Sequence, residues 1–419
     1  MGSLTVELAR VCREVVAIES DPALIPALRE TCGDLPVEIV QADAMRVDWD
    51  SLLVGEGRWV LVANLPYNIA IPLVVEIACR HPQVDRMLVM VQREAAARLA
   101  ARPGEEAYGL PSLKLSYHAE ARVVSAVPRT VFYPRPRVDS ALLSVVRRPS
   151  PAACCPPEVI FALASRAFAQ RRKMLRRSLA AVVGEDVFRR AEVDSRNRPE
   201  ELGVPEWERL AREAGAVLLR APAKLTVELR VTGVRGDGYH EIDAEMVTVD
   251  LADELVVVPG GRGLEVVGPH GAGTPKGAEN LVSRALSLAG AEAWVHLDKR
   301  IPAGAGLGGG SADAAAVLRW AGIRDPDAAL VLGADVPFCL VGGRARVRGV
   351  GEVVEPLSHE ERIFTLLTPA AALRHLGRVP HLGRAGRTPR GGNQRPGACR
   401  PGRIPRAGRV AGAPASGDG

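Results

Sequence analysis

Long apolar runs are missing from this chain: nothing approaches the roughly 18 residues that a membrane-crossing helix needs, and the opening Met1-Gly2-Ser3-Leu4-Thr5-Val6-Glu7-Leu8 lacks the basic start and apolar centre of a secretion signal. A cytoplasmic chain with no membrane partner is expected. Paired cysteine spacings are missing too. The seven cysteines are scattered, only Cys154 and Cys155 being neighbours, so neither a disulfide framework nor a zinc site is expected, and no metal ligand is assigned. There is little excess charge of one sign. A formal +5 from 54 basic and 49 acidic residues confines any nucleic-acid surface to a local patch. A Gly-Lys-Ser/Thr signature is absent, which argues against a Walker P-loop.

What is present is enough apolar material, 47% of 419 residues, for more than one core, because single cores stop growing near roughly 250 to 300 residues. From Val15 to Gln92 short β-branched runs alternate with helical stretches: Val15 to Glu19, Val37 to Val40, Trp59 to Ala63 and Arg86 to Val91. That rhythm predicts a parallel sheet with crossover helices. A Pro/Ala/Cys stretch from Pro149 to Pro157 breaks it, and Glu158 to Gly215 reads as short helices. Strand patterning returns with Val217 to Leu219 and Leu225 to Val231, which places a junction near Gly215. The last stretch, 370–419, carries ten arginines among Gly, Pro and Ala with Asp418 its only acid, and cannot assemble a core.

In open parallel sheets, ligands bind beyond the carboxyl ends of the strands, where an acid commonly grips ribose hydroxyls. Glu19 stands at such a place, and Asp43, after the next strand, could accept from an adenine amino group of the same cofactor. Asn64-Leu65-Pro66-Tyr67 follows the strand Trp59 to Ala63 directly. Its chemistry suits amine methylation of a planar base. The Asn64 amide oxygen and the Leu65 carbonyl can accept from an exocyclic amino group and aim its lone pair, Pro66 stiffens the turn, and Tyr67 can stack on a flipped-out adenine. Read alone, the tetrapeptide is equally a strand-ending turn.

The sequence runs on through Asn68-Ile-Ala-Ile-Pro72, Met90-Val-Gln-Arg-Glu94, Tyr108-Gly109, Val131-Phe-Tyr-Pro-Arg-Pro-Arg-Val-Asp-Ser140, Phe168-Ala-Gln-Arg-Arg-Lys173 and Asn197-Arg-Pro-Glu-Glu-Leu202. With these motifs in order, residues 2 to about 214 resemble the small-subunit rRNA dimethyladenosine transferase family. The resemblance implies a Rossmann-like α/β domain over 1–149 and a helical rRNA-binding domain over 150–215. It implies that Glu19, Asp43 and Asn64 contact S-adenosylmethionine, that Asn64 to Tyr67 surround an adenine of 16S rRNA in the small ribosomal subunit, and that a basic helix carrying Arg166, Arg171, Arg172, Lys173, Arg176 and Arg177 contacts phosphates. The family's first motif, a strand and glycine-rich turn, is matched only by its end at Gly2 to Thr5. Two open sheet edges and a weaker grip on the cofactor are the expected consequence.

The second half centres on Pro302-Ala303-Gly304-Ala305-Gly306-Leu307-Gly308-Gly309-Gly310-Ser311-Ala312, followed by a helix-forming run from Asp313 to Trp320. Glycines let backbone wrap closely round a polyphosphate, and successive N–H groups, Ser311 and the helix N-terminus make an anion site without a lysine. Around it stand Ala221-Pro-Ala-Lys224, Gly236-Asp-Gly-Tyr-His240, Glu279-Asn-Leu-Val282 and Gly333-Ala-Asp-Val-Pro-Phe338. This set resembles the GHMP kinase superfamily and, within it, the kinase acting on 4-diphosphocytidyl-2-C-methyl-D-erythritol.

That resemblance implies an α+β N-terminal kinase domain over 216–369 that binds ATP with Mg²⁺. Asp335 is the candidate base for the substrate hydroxyl, Lys224 its ion-pair partner, and Tyr239 and His240 the cytosine-recognition segment. Thr226 stands where many members have Asn. The match ends near 369, short of a second glycine-rich motif, and the tail 370–419 has the composition of a GC-rich reading frame out of register, expected to be disordered. The whole therefore reads as two enzymes joined, acting on 16S rRNA and on a cytidyl-methylerythritol. Two alternatives stay open: an RNA-binding remnant without turnover, and neighbouring genes merged. Nothing in the sequence sets an oligomeric state.

Overall fold

The computed structural model describes residues 2–55, 57–236, 238 and 240–367, so the expectations for the tail and for Tyr239 lie outside the described residues. The first half contains α1 (Ser3–Val11), β1 (Val15–Glu19), α2 (Ile25–Cys32), β2 (Val37–Gln41), α3 (Trp49–Leu52), β3 (Trp59–Asn64), α4 (Ala70–Arg80) and β4 (Val84–Gln92). Then come α5 (Arg93–Ala100), α6 (Leu110–His118), β5 (Ala119–Val127) and β6 (Ser140–Arg147). Periodicity explains the elements. Helix α4 buries Ala70, Leu73, Val74, Ile77 and Ala78, the i, i+3, i+4 stripe of a core-facing helix. Strand β4 buries Val84, Met87, Val89 and Val91, and all but the first of these follow the period of two of a pleated strand.

The sequence rhythm predicts a parallel sheet; β1–β2 and β3–β4 are the parallel pairs of this half, and they belong to two separate sheets. Strands β1 and β2 form a parallel pair of their own, while β3, β4, β6 and β5 form a four-stranded sheet in that order. Only β3 and β4 run parallel in it; β6 is antiparallel to both β4 and β5. The two open edges expected are present, since among the described residues β1 pairs only with β2 and β3 only with β4.

Helices α7 (Pro157–Phe168), α8 (Leu175–Ser178), α9 (Glu185–Arg190) and α10 (Val204–Glu213) enclose a core in which Leu163, Leu175, Leu179, Trp207 and Leu210 are fully buried. The Tyr108 hydroxyl donates to the Leu202 carbonyl at 3.1 Å, tying the sheet region to the segment before α10.

The second half opens with two long strands, β7 (Val217–Val234) and β8 (His240–Pro259), paired antiparallel. Where the sequence suggested two short strands, β7 runs on through Pro222 by way of bulges, which absorb the missing N–H. After β9 (Gly263–Val267), α11 (Leu281–Leu288) and β10 (Ala293–Asp298) come α12 (Gly309–Trp320), α13 (Pro326–Leu330), α14 (Val336–Val341), β11 (Arg344–Gly349) and β12 (Val353–Pro356). The sheet order is β12-β11-β8-β10-β9, with β7 also on β8. Buried alanines 312 and 314–316 let α12 pack close on this sheet. Among the described residues no helix is long and apolar enough to cross a membrane.

Replacing Tyr108 by Phe leaves the buried Leu202 carbonyl without its donor, and a loss of about 1 to 2 kcal/mol in denaturant unfolding is expected. An unchanged midpoint would show that the hydroxyl does not hold these segments together.

Candidate functional site

The strand ends of the first half carry the polar candidates. Glu19 closes β1; one carboxylate oxygen accepts from the Asp21 N–H at 2.8 Å, and its carbonyl accepts from the Ala42 N–H at 3.0 Å, joining the ends of β1 and β2. Asp43, two residues past β2, accepts from the Met45 N–H at 2.9 Å, and its other oxygen lies 3.8 Å from exposed Arg46. Each acid is thus braced by one local bond and keeps acceptor capacity. Asn64 is the exposed last residue of β3. Leu65 continues the ladder by donating to the Met90 carbonyl at 3.1 Å and sinks its side chain into the core, while the Pro66 carbonyl accepts from Ile69 at 3.2 Å. The turn is therefore fixed on both sides.

Tyr67 is oriented by a bond the sequence did not disclose: its hydroxyl lies 3.1 Å from the hydroxyl of buried Ser140. Ser140 begins β6 and ends the Val131-to-Ser140 motif, so two motifs 73 residues apart meet at one side chain. Tyr133, in the same motif, is fully exposed. The only signal for either residue was membership of that motif.

The basic run departs from expectation. It is not one helix: α7 ends at Phe168, and the chain turns through 169–174 before α8 begins at Leu175. The Leu175 and Arg176 N–H groups donate to Asn197 and Ser195 at 2.8 and 2.9 Å, which draws this backbone to a loop instead. Arg166 forms a 3.1 Å ion pair with Glu265 of the second half. Arg171 is partly engaged, donating to the Glu106 carbonyl at 2.7 Å. Arg172, Lys173, Arg176 and Arg177 remain exposed.

In the second half, Pro302 to Gly308 forms the loop that leads into α12. Gly304, Gly306 and Gly308 all have positive φ, 72°, 75° and 67°, a region in which side chains are strained. Ala303 and Ala305 are exposed beside them, and Leu307 is buried as the loop's anchor. Gly309, Gly310, Ser311 and Ala312 make the first turn of α12. The Lys224 N–H donates to the Leu307 carbonyl at 2.9 Å, and its stem passes so close to Gly308 that a Cβ there would lie 2.7 Å from Lys224 Cγ. Its ammonium sits 3.2 Å from Asp335 and donates to Thr226 at 3.2 Å. Sequence positions 224, 308 and 335 thus converge on one point. His240 begins β8, with its Nδ1 buried and without a hydrogen-bond partner among the described residues.

Behind the loop lies a group that motif reading missed. The buried Lys299 ammonium donates to Asp253 and, at 2.7 Å, to Asp313 of α12. The other Asp253 oxygen accepts from the Arg300 and Ile301 N–H groups at 2.6 and 2.8 Å, holding the entry to the loop. Burial pushes Asp313 up to about 7 against the pull of Lys299. Burial also works against the Lys299 ammonium, but Asp313 and Asp253 outweigh it and hold its pKa above the ordinary value. A buried charge of this kind persists only when paired.

Residues 1–214 match the family described as Ribosomal RNA adenine dimethylase, and residues 274–323 the GHMP kinases N terminal domain. The chain belongs to the ribosomal RNA adenine dimethylase family and joins to it a GHMP kinase N-terminal domain. It is similar to the ribosomal RNA small subunit methyltransferase A of Thermobifida fusca, 44% identical over 50% of this chain and 76% of that one. The protein of the same name from Kineococcus radiotolerans is 43% identical over 53% and 77%. A crystal structure of 4-(cytidine 5'-diphospho)-2C-methyl-D-erythritol kinase is 45% identical over 34% of this chain and 55% of that one, with a TM-score of 0.29. The chain therefore spans about half of that kinase.

With a folded pKa above its ordinary 3.8, Asp313 contributes stability that is present at low pH and lost as pH rises through about 7. Asp313→Asn removes this titration. The melting temperature of the variant relative to the parent is expected to climb between those two values and level off above them; a flat difference would place the proton elsewhere.

Proposed function

We propose that the first half methylates the amino groups of adjacent adenosines in 16S rRNA, using S-adenosylmethionine. The observation that carries this reading is the Asn64–Tyr67 turn at the end of β3, fixed by Leu65 in the core and by the Tyr67–Ser140 bond. Glu19 and Asp43, at neighbouring strand ends, fit a ribose and an adenine amino group, because each retains acceptor capacity. S-adenosylmethionine, when bound, supplies an electrophilic methyl group. The protein's part is positional: the Asn64 amide oxygen and the Leu65 carbonyl accept the N–H bonds of the target amine and leave its lone pair aimed outward, while Tyr67 stacks on the base. Arg172, Lys173, Arg176 and Arg177 hold the phosphates.

For the second half the proposal is phosphorylation of a cytidyl-methylerythritol hydroxyl. The loop from Pro302 to Gly308 and the first N–H groups of α12 suit a polyphosphate, with Mg²⁺ accompanying the ATP and no residue assigned to it. Asp335 accepts the hydroxyl proton, with the Lys224 ammonium 3.2 Å away as its ion-pair partner. Tyr239 and His240 face the cytosine in this reading, and the domain limits 1–149, 150–215 and 216–369 belong to it as well.

Transfer of labelled methyl groups to unmodified small ribosomal subunits tests the first activity. Asn64→Ala is expected to lower the rate by about 100-fold, and Glu19→Ala to weaken cofactor binding about 10-fold; a parent-like rate with Asn64→Ala would remove the turn from the chemistry. For the kinase, Asp335→Asn should cost about 100-fold or more in phosphoryl transfer from ATP, and Lys224→Met a comparable amount. Full activity in both variants would dismiss the pair.

A further inference from the structure

The sheet of the second half is apolar on both faces over Leu255–Val258 of β8 and Trp294 and Val295 of β10. Leu255 and Val257 of β8, with Val295 and Leu297 of β10, point into the core beneath α12. The alternate residues Val256 and Val258, with Trp294 paired across from Val258, belong to the other core, the one containing Leu163, Val182 and Trp207 of the helical segment. Trp294 is 2% exposed there and Val258 1%. A sheet with one face in water shows polar residues at every second position; on this face the polar Glu254, His296 and Asp298 line a cleft, while Val256, Val258 and Trp294 are apolar and belong to the helical core.

The contact is built in other ways too. The Arg262 N–H, in the turn after β8, donates to the Ala181 carbonyl at 2.7 Å. A Cβ on neighbouring Gly261 would stand 2.9 Å from the Val182 carbonyl oxygen, so only glycine admits this approach. Arg166 and Glu265 pair across the seam at 3.1 Å, both about one-third exposed. Beyond this patch the halves diverge into a cleft of about 560 Å³, with Lys114, His118 and Phe161 on one wall and Glu254, His296 and Arg300 on the other. A dry centre with a polar margin is the anatomy of a permanent interface, whereas segments that move independently usually meet through smaller, more polar surfaces.

We propose that the helical segment and the second-half sheet are obligate structural partners and unfold as one cooperative unit, although they serve two separate reactions. The core of the helical segment is incomplete without the sheet. Without the sheet, the helical core loses Val256, Val258 and Trp294, which belong to it; without the helices, those three present an apolar strip to water.

Native-state hydrogen exchange of the full chain in rising urea tests this. Amides of α7 and α10 are expected to join those of α12 in a single opening, with one urea dependence. Leu318→Ala, in the core beneath α12 and away from the seam, should then speed exchange by roughly 100-fold in α7 and α10 as well as in α12. If α12 opens earlier in urea than α7 and α10, or the variant leaves the latter two untouched, the segments fold independently and the proposal fails. The urea series on the unmodified chain decides this even where the variant does not fold.

Discussion

Burial of both faces of β8 is the constraint on which the second half, and much of the first, depends. A strand covered on one side by α12 and on the other by α7 and its neighbours gains little from polar alternation, and the run Leu255-Val-Val-Val258 shows none. Such a run reads equally well as a buried strand or a piece of core helix. Tertiary context resolves the ambiguity: hydrogen bonding to β7, β10 and β11 leaves β8 no free edge along most of its length. The same packing brings Arg166 against Glu265 of β9, the strand paired with β10.

Around the glycine loop the decisive forces are electrostatic. Lys224 and Asp335 meet at its open side, and Lys299 with Asp253 and Asp313 lies beneath it. In the first pair the Asp335 side chain is about one-third exposed, while that of Lys224 is nearly buried. The second group is sealed, and it fixes where β8, the loop entry and α12 stand relative to one another. Removing Lys299 would leave Asp253 and Asp313 without their counter-charge in an apolar setting, which is far more costly than never having placed the group there.

Much of the local structure was legible. The runs at Val15 to Glu19, Val37 to Val40, Trp59 to Ala63 and Arg86 to Val91 all became strands, with ends differing by at most two residues. The turn at Asn64 was legible because its chemistry is contiguous. The Lys224–Asp335 pair was expected from the resemblance, but other features made by residues far apart escaped: the antiparallel β5 and β6, the Tyr67–Ser140 bond, and the Asp253–Lys299 contact across 46 residues. Neither composition nor period encodes these. The basic run was misjudged as a helix because a row of like charges specifies no backbone, and the partners of Leu175 and Arg176 at Asn197 and Ser195 could not be foreseen.

Two apolar faces also change what keeps β8 in register. In an ordinary half-buried strand, a slip of one residue turns the greasy side to water and is rejected on that ground. Here a slip would exchange Val256 and Val258 for Leu255 and Val257, and each core would still receive apolar side chains. The frame must be held by something that cannot be exchanged. Asp253 fills that role: fully buried, it accepts from the Arg300 and Ile301 N–H groups and pairs with Lys299; a slip one way puts Ala252 there and strands these donors, and a slip the other way forces the longer Glu254 into a fully buried site. The polar residue least expected in a β-core is the one that tells the strand where to stop sliding.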